Sequence, residues 1–101
     1  MTMNELVFDR EAMDRICRAR KIRRIRLFGS RARGNAKPDS DVDLLVEYDP
    51  ASGMTMFEFM DLEEEIATLF AGMKVDVVSG FGLSPYFRDS ILRTSRVIYE
   101  Q

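Results

Sequence analysis

A small β-sheet flanked by helices, in an α/β (α+β) chain, is the fold class that this sequence predicts. Two observations carry it. Segments of helical and strand periodicity alternate along the chain, and 101 residues with 46% hydrophobic content suffice for one modest core but not two. Residues 1–101 are therefore expected to form one domain, with no internal repeat or low-complexity tract.

The first helix is expected from Asp9, whose carboxylate is placed to cap DREAMDRICRAR; Ala12, Met13, Ile16, Cys17 and Arg20 follow at helical spacing. KIRRIRLF alternates Arg24 and Arg26 with Ile25 and Leu27 and stops at Gly29, which predicts a strand over Ile22–Phe28. Gly29 and Ser30 mark a sharp turn, RARGN has room for one helical turn ended by Gly34 and Asn35, and KPDS is read as a loop. A second strand over residues 41–48 places Val42, Leu44 and Val46 on one face and Asp41, Asp43, Leu45 and Glu47 on the other. After a linker containing Ser52 and Gly53, Phe59, Leu62, Ile66, Leu69 and Phe70 form the stripe of a helix running to Gly72. MKVDVVS predicts a third strand with Asp76 opposite Val75 and Val77, followed by a glycine-rich turn. Pro85 opens a last helix over residues 85–95, and RVIYE is expected to pair at a sheet edge.

Charge bounds the function classes. A net charge of −2 with 32% charged residues argues against both wholesale disorder and a protein that coats nucleic acid generally. The distribution is uneven: ten of the fifteen basic residues fall between Arg15 and Lys37, and ten of the seventeen acidic ones between Asp39 and Glu65. Such a division can steer an anionic ligand. Cys17 is the single cysteine and there is no histidine, so zinc or thiol chemistry is not expected and Cys17 reads as a small apolar residue of the first helix. With no cleavable leader recognised, a reducing, cytoplasmic setting is expected. No apolar run approaches the roughly 20 residues needed to span a bilayer.

The chemistry concentrates around GSRARGNAKPDSDVDLLV. Asp41 and Asp43 sit two apart on a strand and project from one face roughly 7 Å apart at the backbone. That spacing lets them share a divalent cation, and oxygen ligands suit Mg²⁺, which completes its shell with water and substrate phosphates; a polar strand start would look the same in isolation. Asp76 lies in a second apolar strand, where a solitary carboxylate is costly to bury unless a shared metal partners it. If the strands are neighbours, three carboxylates converge, the third as metal ligand or general base. The Gly29-Ser30 turn can aim backbone N–H groups and a hydroxyl at phosphate oxygens, and Arg31 or Arg33 can neutralise phosphate charge.

Taken together, GSRARGNAKPDSDVDLLVEYD resembles the signature of the DNA-polymerase-β-type nucleotidyltransferases. More closely it resembles the minimal nucleotidyltransferase (MNT) antitoxins that accompany HEPN-domain ribonuclease toxins, over nearly the whole chain. The resemblance implies a small mixed β-sheet of the nucleotidyltransferase fold. It further implies that Gly29 and Ser30 contact a nucleoside triphosphate with help from Arg31, and that Asp41, Asp43 and Asp76 are the catalytic carboxylates and Mg²⁺ ligands. The chemistry implied is attack by a hydroxyl on the α-phosphate of ATP, with AMP transferred to a tyrosine of a cognate HEPN toxin.

Other functions remain open at the level of sequence. The chain could neutralise a toxin by occlusion, through Phe57, Met60, Phe81, Tyr86 and Phe87, although such stripes are expected to be core. Transfer to a small molecule or an RNA end is the third possibility; the basic stretch from Arg18 to Arg26 is read as a solvated helix face and strand edge rather than an RNA contact. The acidic run Glu63 to Glu65 is read as a hydration surface.

Overall fold

The computed structural model describes residues 7–34, 41–70, 72–81 and 83–101. In chain order it holds α1 (Arg10–Ala19), β1 (Ile22–Phe28), α2 (Ser30–Arg33), β2 (Val42–Tyr48), a 3-10 turn (Pro50–Ser52), α3 (Met56–Ala67), β3 (Val75–Ser79), α4 (Pro85–Thr94) and β4 (Arg96–Glu100). Asn35, the KPDS loop at residues 37–40 and Gly82 of the glycine-rich turn lie outside the described residues.

Capping side chains set the helix starts. The Asp9 carboxylate accepts from the Ala12 N–H at 3.0 Å, Thr55 Oγ1 from Glu58 N–H at 3.2 Å, and Ser84 Oγ from Phe87 N–H at 3.2 Å. Each satisfies a donor that the helix itself leaves orphaned, worth about 1 kcal/mol. Pro85 follows Ser84 in the first turn of α4, where its missing N–H costs nothing.

The strands form one four-stranded sheet in the order β3-β2-β1-β4. β1 pairs antiparallel with both β2 and β4, whereas β2 and β3 are parallel; a parallel pair needs a long crossover, which α3 supplies. One face of this mixed sheet meets α1 and α3. The core between them joins Met13 and Cys17 of α1, Ile25 and Leu27 of β1, Val42, Leu44 and Val46 of β2, and Leu62 and Ile66 of α3. Cys17 is wholly buried and burial pushes its thiol up to about 12, consistent with a packing role. On the opposite face, Glu47 accepts from Arg24 at 2.9 Å and from Arg26 at 3.3 Å, and Arg24 also donates to Glu100 at 2.7 Å.

Several expectations are corrected by this arrangement. β2 begins at Val42, with Asp41 just before it, and α4 ends at Thr94 with Ser95 as its cap. α3 stops at Ala67; Leu69 and Phe70 follow in turns, where Phe70 is nonetheless buried. Phe57, Met60, Phe81, Tyr86 and Phe87, expected as core, are all exposed, because the inward stripe of α3 is taken by Leu62 and Ile66 and α4 buries Ile91. Leu45 was placed on the polar face and is buried there. Arg24 and Arg26 of β1 are not on a solvated edge, since β1 is an interior strand and both are ion-paired, whereas Arg23 is exposed. Arg20 reaches Glu65 at 2.6 Å, drawing part of the acidic run into a link between α1 and α3. Among the described residues no helix is long and apolar enough to cross a membrane.

Leu44 is wholly buried in the central strand. Leu44→Ala is expected to destabilise the fold by roughly 2–5 kcal/mol, the range for truncation at a site that cannot collapse. Urea melts followed by circular dichroism check this; a loss under 1 kcal/mol would place Leu44 outside the core.

Candidate active site

The period of two along β2 that turns Val42, Leu44 and Val46 into the core turns Asp43 to the opposite face. Parallel pairing then sets Asp43 directly beside Asp76, in register, while Phe28 stands opposite Asp43 on the other flank. Asp41 immediately precedes β2, and its carboxylate lies 3.9 Å from Lys74 Nζ. The three carboxylates expected from the sequence are thus brought to one end of one face of the sheet.

Electrostatics confirm their proximity. The Asp43 carboxyl is raised above its ordinary 3.8, first by burial, then by the negative charges of Asp76 and Asp41; Arg33 and Lys74 pull the other way. Asp76 itself is exposed, so the expectation of a carboxylate forced into an apolar strand is corrected. Its side chain faces solvent, and its link to the site is its charge on Asp43.

Gly29 ends β1 with φ 78° and ψ −156°, a backbone region that only glycine occupies without strain. A second constraint coincides: a Cβ on Gly29 would collide with Asp43 Oδ2. The turn therefore lies against the carboxylate, and Ser30 opens α2 beside it, half-buried. Gly34 closes α2 in the left-handed conformation at φ 78°. The two arginines of this turn part company. Arg31 is buried at 8% exposure, whereas Arg33 is exposed and acts on Asp43 through its charge. Lys74 was not singled out from the sequence; the available signal was a cation placed immediately before the strand that carries the third aspartate.

Among the described residues, no three or more His, Cys, Asp or Glu side chains are drawn together tightly enough to form a metal cage. Mg²⁺ does not require one, since it binds through one or two carboxylates and takes its other ligands from water and phosphates. The hard oxygen donors at Asp41 and Asp43, and the burial and carboxylate repulsion that together raise Asp43, fit such an ion.

A mixed sheet carrying carboxylates at the ends of adjacent strands, with a glycine turn packed on one of them, is the plan of a nucleotidyl-transferring domain. The chain belongs to the polymerase-β nucleotidyltransferase family, whose model, described as polymerase beta, nucleotidyltransferase, matches residues 11–101. It is 38% identical over 78 residues to the protein adenylyltransferase MntA of Thermococcus cleftensis, covering 77% of this chain and 74% of that one. Among solved structures it is similar to a candidate minimal nucleotidyltransferase, with 40% identity, a TM-score of 0.71 and 86% of each chain covered. The fold also matches an MNT antitoxin in complex with a tri-AMPylated HEPN toxin of Shewanella oneidensis, at 17% identity, a TM-score of 0.63, and coverage of 91% of this chain and 70% of that one.

Gly29→Ala is expected to cost about 1–3 kcal/mol through backbone strain and to weaken nucleotide binding by displacing Asp43; thermal melts and titration with a fluorescent ATP analogue read the two effects separately. Asp43 gives a pH prediction. Because its folded-state pKa is raised, the native state holds this proton more tightly than the unfolded chain does, and stability falls as pH rises from 3.8 through the elevated value. Asp43→Asn should therefore raise Tm at neutral pH without divalent ions, with the gain shrinking as pH is lowered towards 3.8. A gain that does not change with pH, by calorimetry, would contradict the assignment.

Proposed function

We propose that this chain is an antitoxin nucleotidyltransferase that moves AMP from ATP to a hydroxyl, that of a tyrosine, on a cognate HEPN-domain toxin, and so neutralises it. The observation that carries the reading is the in-register pairing of Asp43 with Asp76 beneath the Gly29-Ser30 turn. Support also comes from the relatives named protein adenylyltransferase and from the fold shared with a toxin–antitoxin structure containing AMP-PNP, at 19% identity, a TM-score of 0.70, and coverage of 92% of this chain and 74% of that one.

The placement of these residues supports one role for each. The Gly29 turn, with Ser30, receives the triphosphate, since glycine allows the backbone to approach and the hydroxyl adds a donor. Arg33, exposed beside the carboxylates, is better placed than buried Arg31 to meet phosphate charge, leaving Arg31 to hold the turn. Asp41 and Asp43 would hold Mg²⁺, which would supply charge neutralisation at the phosphates. Asp76, open to solvent, is positioned to take the proton of the incoming hydroxyl. As the acceptor oxygen bonds to the α-phosphorus, the bond to the bridging oxygen breaks and pyrophosphate leaves. Lys74, beside Asp41, tempers the repulsion among the carboxylates.

With ATP labelled at the α-phosphate, Mg²⁺ and the product of the adjacent gene, label is expected on the partner and to fall at least a hundredfold with Asp43→Asn or with chelator. Equal labelling by the wild type and Asp43→Asn would sink the proposal. A second reading, neutralisation by occlusion, is favoured by the exposure of Phe57 and Tyr86, at 79% and 85%. It predicts that Asp43→Asn still silences the toxin in cells.

A further inference from the structure

At the end of the sheet away from the carboxylates, where β1 begins and the other three strands finish, the surface folds into a cleft of about 550 Å³. Arg23, Arg24, Glu47, Tyr48, Phe81 and Arg88 give it its chemistry. The internal charges are largely settled: Arg24 bridges Glu47 and Glu100, and Glu47 accepts a second guanidinium from Arg26. Arg23 and Arg88 are different. Both are exposed, and among the described residues neither makes an ion pair.

Beside these two cations stands an aromatic wall. Tyr48 and Phe81 meet edge to face with ring centres 5.0 Å apart, and Phe81 remains 48% exposed. Tyr86 and Phe87, directly before Arg88 in the first turn of α4, do not line the cleft but are 85% and 49% exposed. Unpaired arginines beside exposed aromatics are the composition of a binding hot spot, where a desolvated side chain and a charge pair are accepted together. The complement is a carboxylate carried next to an apolar side chain.

We propose that this cleft anchors an acidic, apolar-flanked segment of the protein partner, and holds that partner without need of nucleotide. The inference rests on the reading of the chain as an enzyme that modifies a protein. Asp43 and the cleft residues Glu47 and Tyr48 are four and five residues apart on β2, roughly 13–17 Å along the strand, and a partner gripped at one end leaves the other end open to ATP. The observations favour a protein over an RNA. Of the cations that line the cleft only Arg23 and Arg88 are without an ion pair, Glu47 and Glu100 line it too and would repel phosphates, and a concavity of this size takes a side chain or two rather than a continuous phosphate track.

Calorimetric titration of the full chain with the product of the adjacent gene, without nucleotide, tests the anchor. The double variant Arg23→Glu, Arg88→Glu is expected to raise Kd at least tenfold with an unchanged urea midpoint, because both side chains are exposed. Asp43→Asn should bind as the wild type does. Unchanged partner binding by the double variant, with label transfer intact, overturns the anchor while leaving the transferase reading standing. Loss of label transfer in the wild type with partner binding intact would remove the transferase reading and leave the anchor. Absence of any complex with the wild type overturns the anchor, while label transfer still decides the transferase reading separately. A wild-type chain that binds a single-stranded RNA more tightly than the partner, with that binding abolished in the double variant, also overturns the protein anchor.

Discussion

Everything in this structure depends on the two-sidedness of β2. Val42, Leu44 and Val46 are wholly buried on one side, and the same pleat sends Asp43 to the other. The side-chain period of a strand is two, so a slip of one residue would drive carboxylates into the core and strip the candidate site of them at the same stroke. Neighbours on both flanks guard against that slip, with β1 antiparallel and β3 parallel. Core formation and site assembly are in this sense one event: the free energy of burying three aliphatic side chains is what fixes the position of the charges.

Holding like charges together is unfavourable, and the fold answers locally rather than by dispersing them. Burial dominates the rise at Asp43, with Asp76 and Asp41 adding to it. Arg33 and Lys74 offset part of the repulsion from opposite sides of the chain, one on the short helix after β1 and the other at the entry to β3. Elsewhere Arg24 and Arg26 of β1 are paired with Glu47, and Arg24 with Glu100 as well. The asymmetry of charge along the sequence is cancelled only in part in space: among the described residues of the basic stretch, Arg18, Arg20, Arg24 and Arg26 are ion-paired.

The element order and most boundaries were legible in the sequence because capping and turn residues punctuate it: Asp9, Gly29 and Pro85 each act on the backbone locally, whereas the caps at Thr55 and Ser84 emerged only from the structure. The convergence of Asp76 on Asp43 was legible only as a condition, since periodicity says which face a residue takes but not which strands are neighbours. Three features could not be read. The exposure of the α3 and α4 aromatics depends on how the helices dock, which composition does not specify. Arg31 and Arg33 look equivalent in the sequence, yet one is buried and one is not, because a single helical turn points them differently. The collision that excludes a side chain at Gly29 arises from Asp43, fourteen residues on and in another strand.

The buried thiol of α1 carries a practical consequence. Cys17 is inaccessible and its ionisation is pushed up to about 12, so at neutral pH a thiol reagent reaches it only when α1 opens. As the single cysteine of the chain, it is a built-in clock for that opening. The rate of its modification, compared with that of a free thiol, reports the opening free energy of the first helix. No label need be engineered, and the measurement can be made with a partner or a nucleotide bound at either end of the sheet.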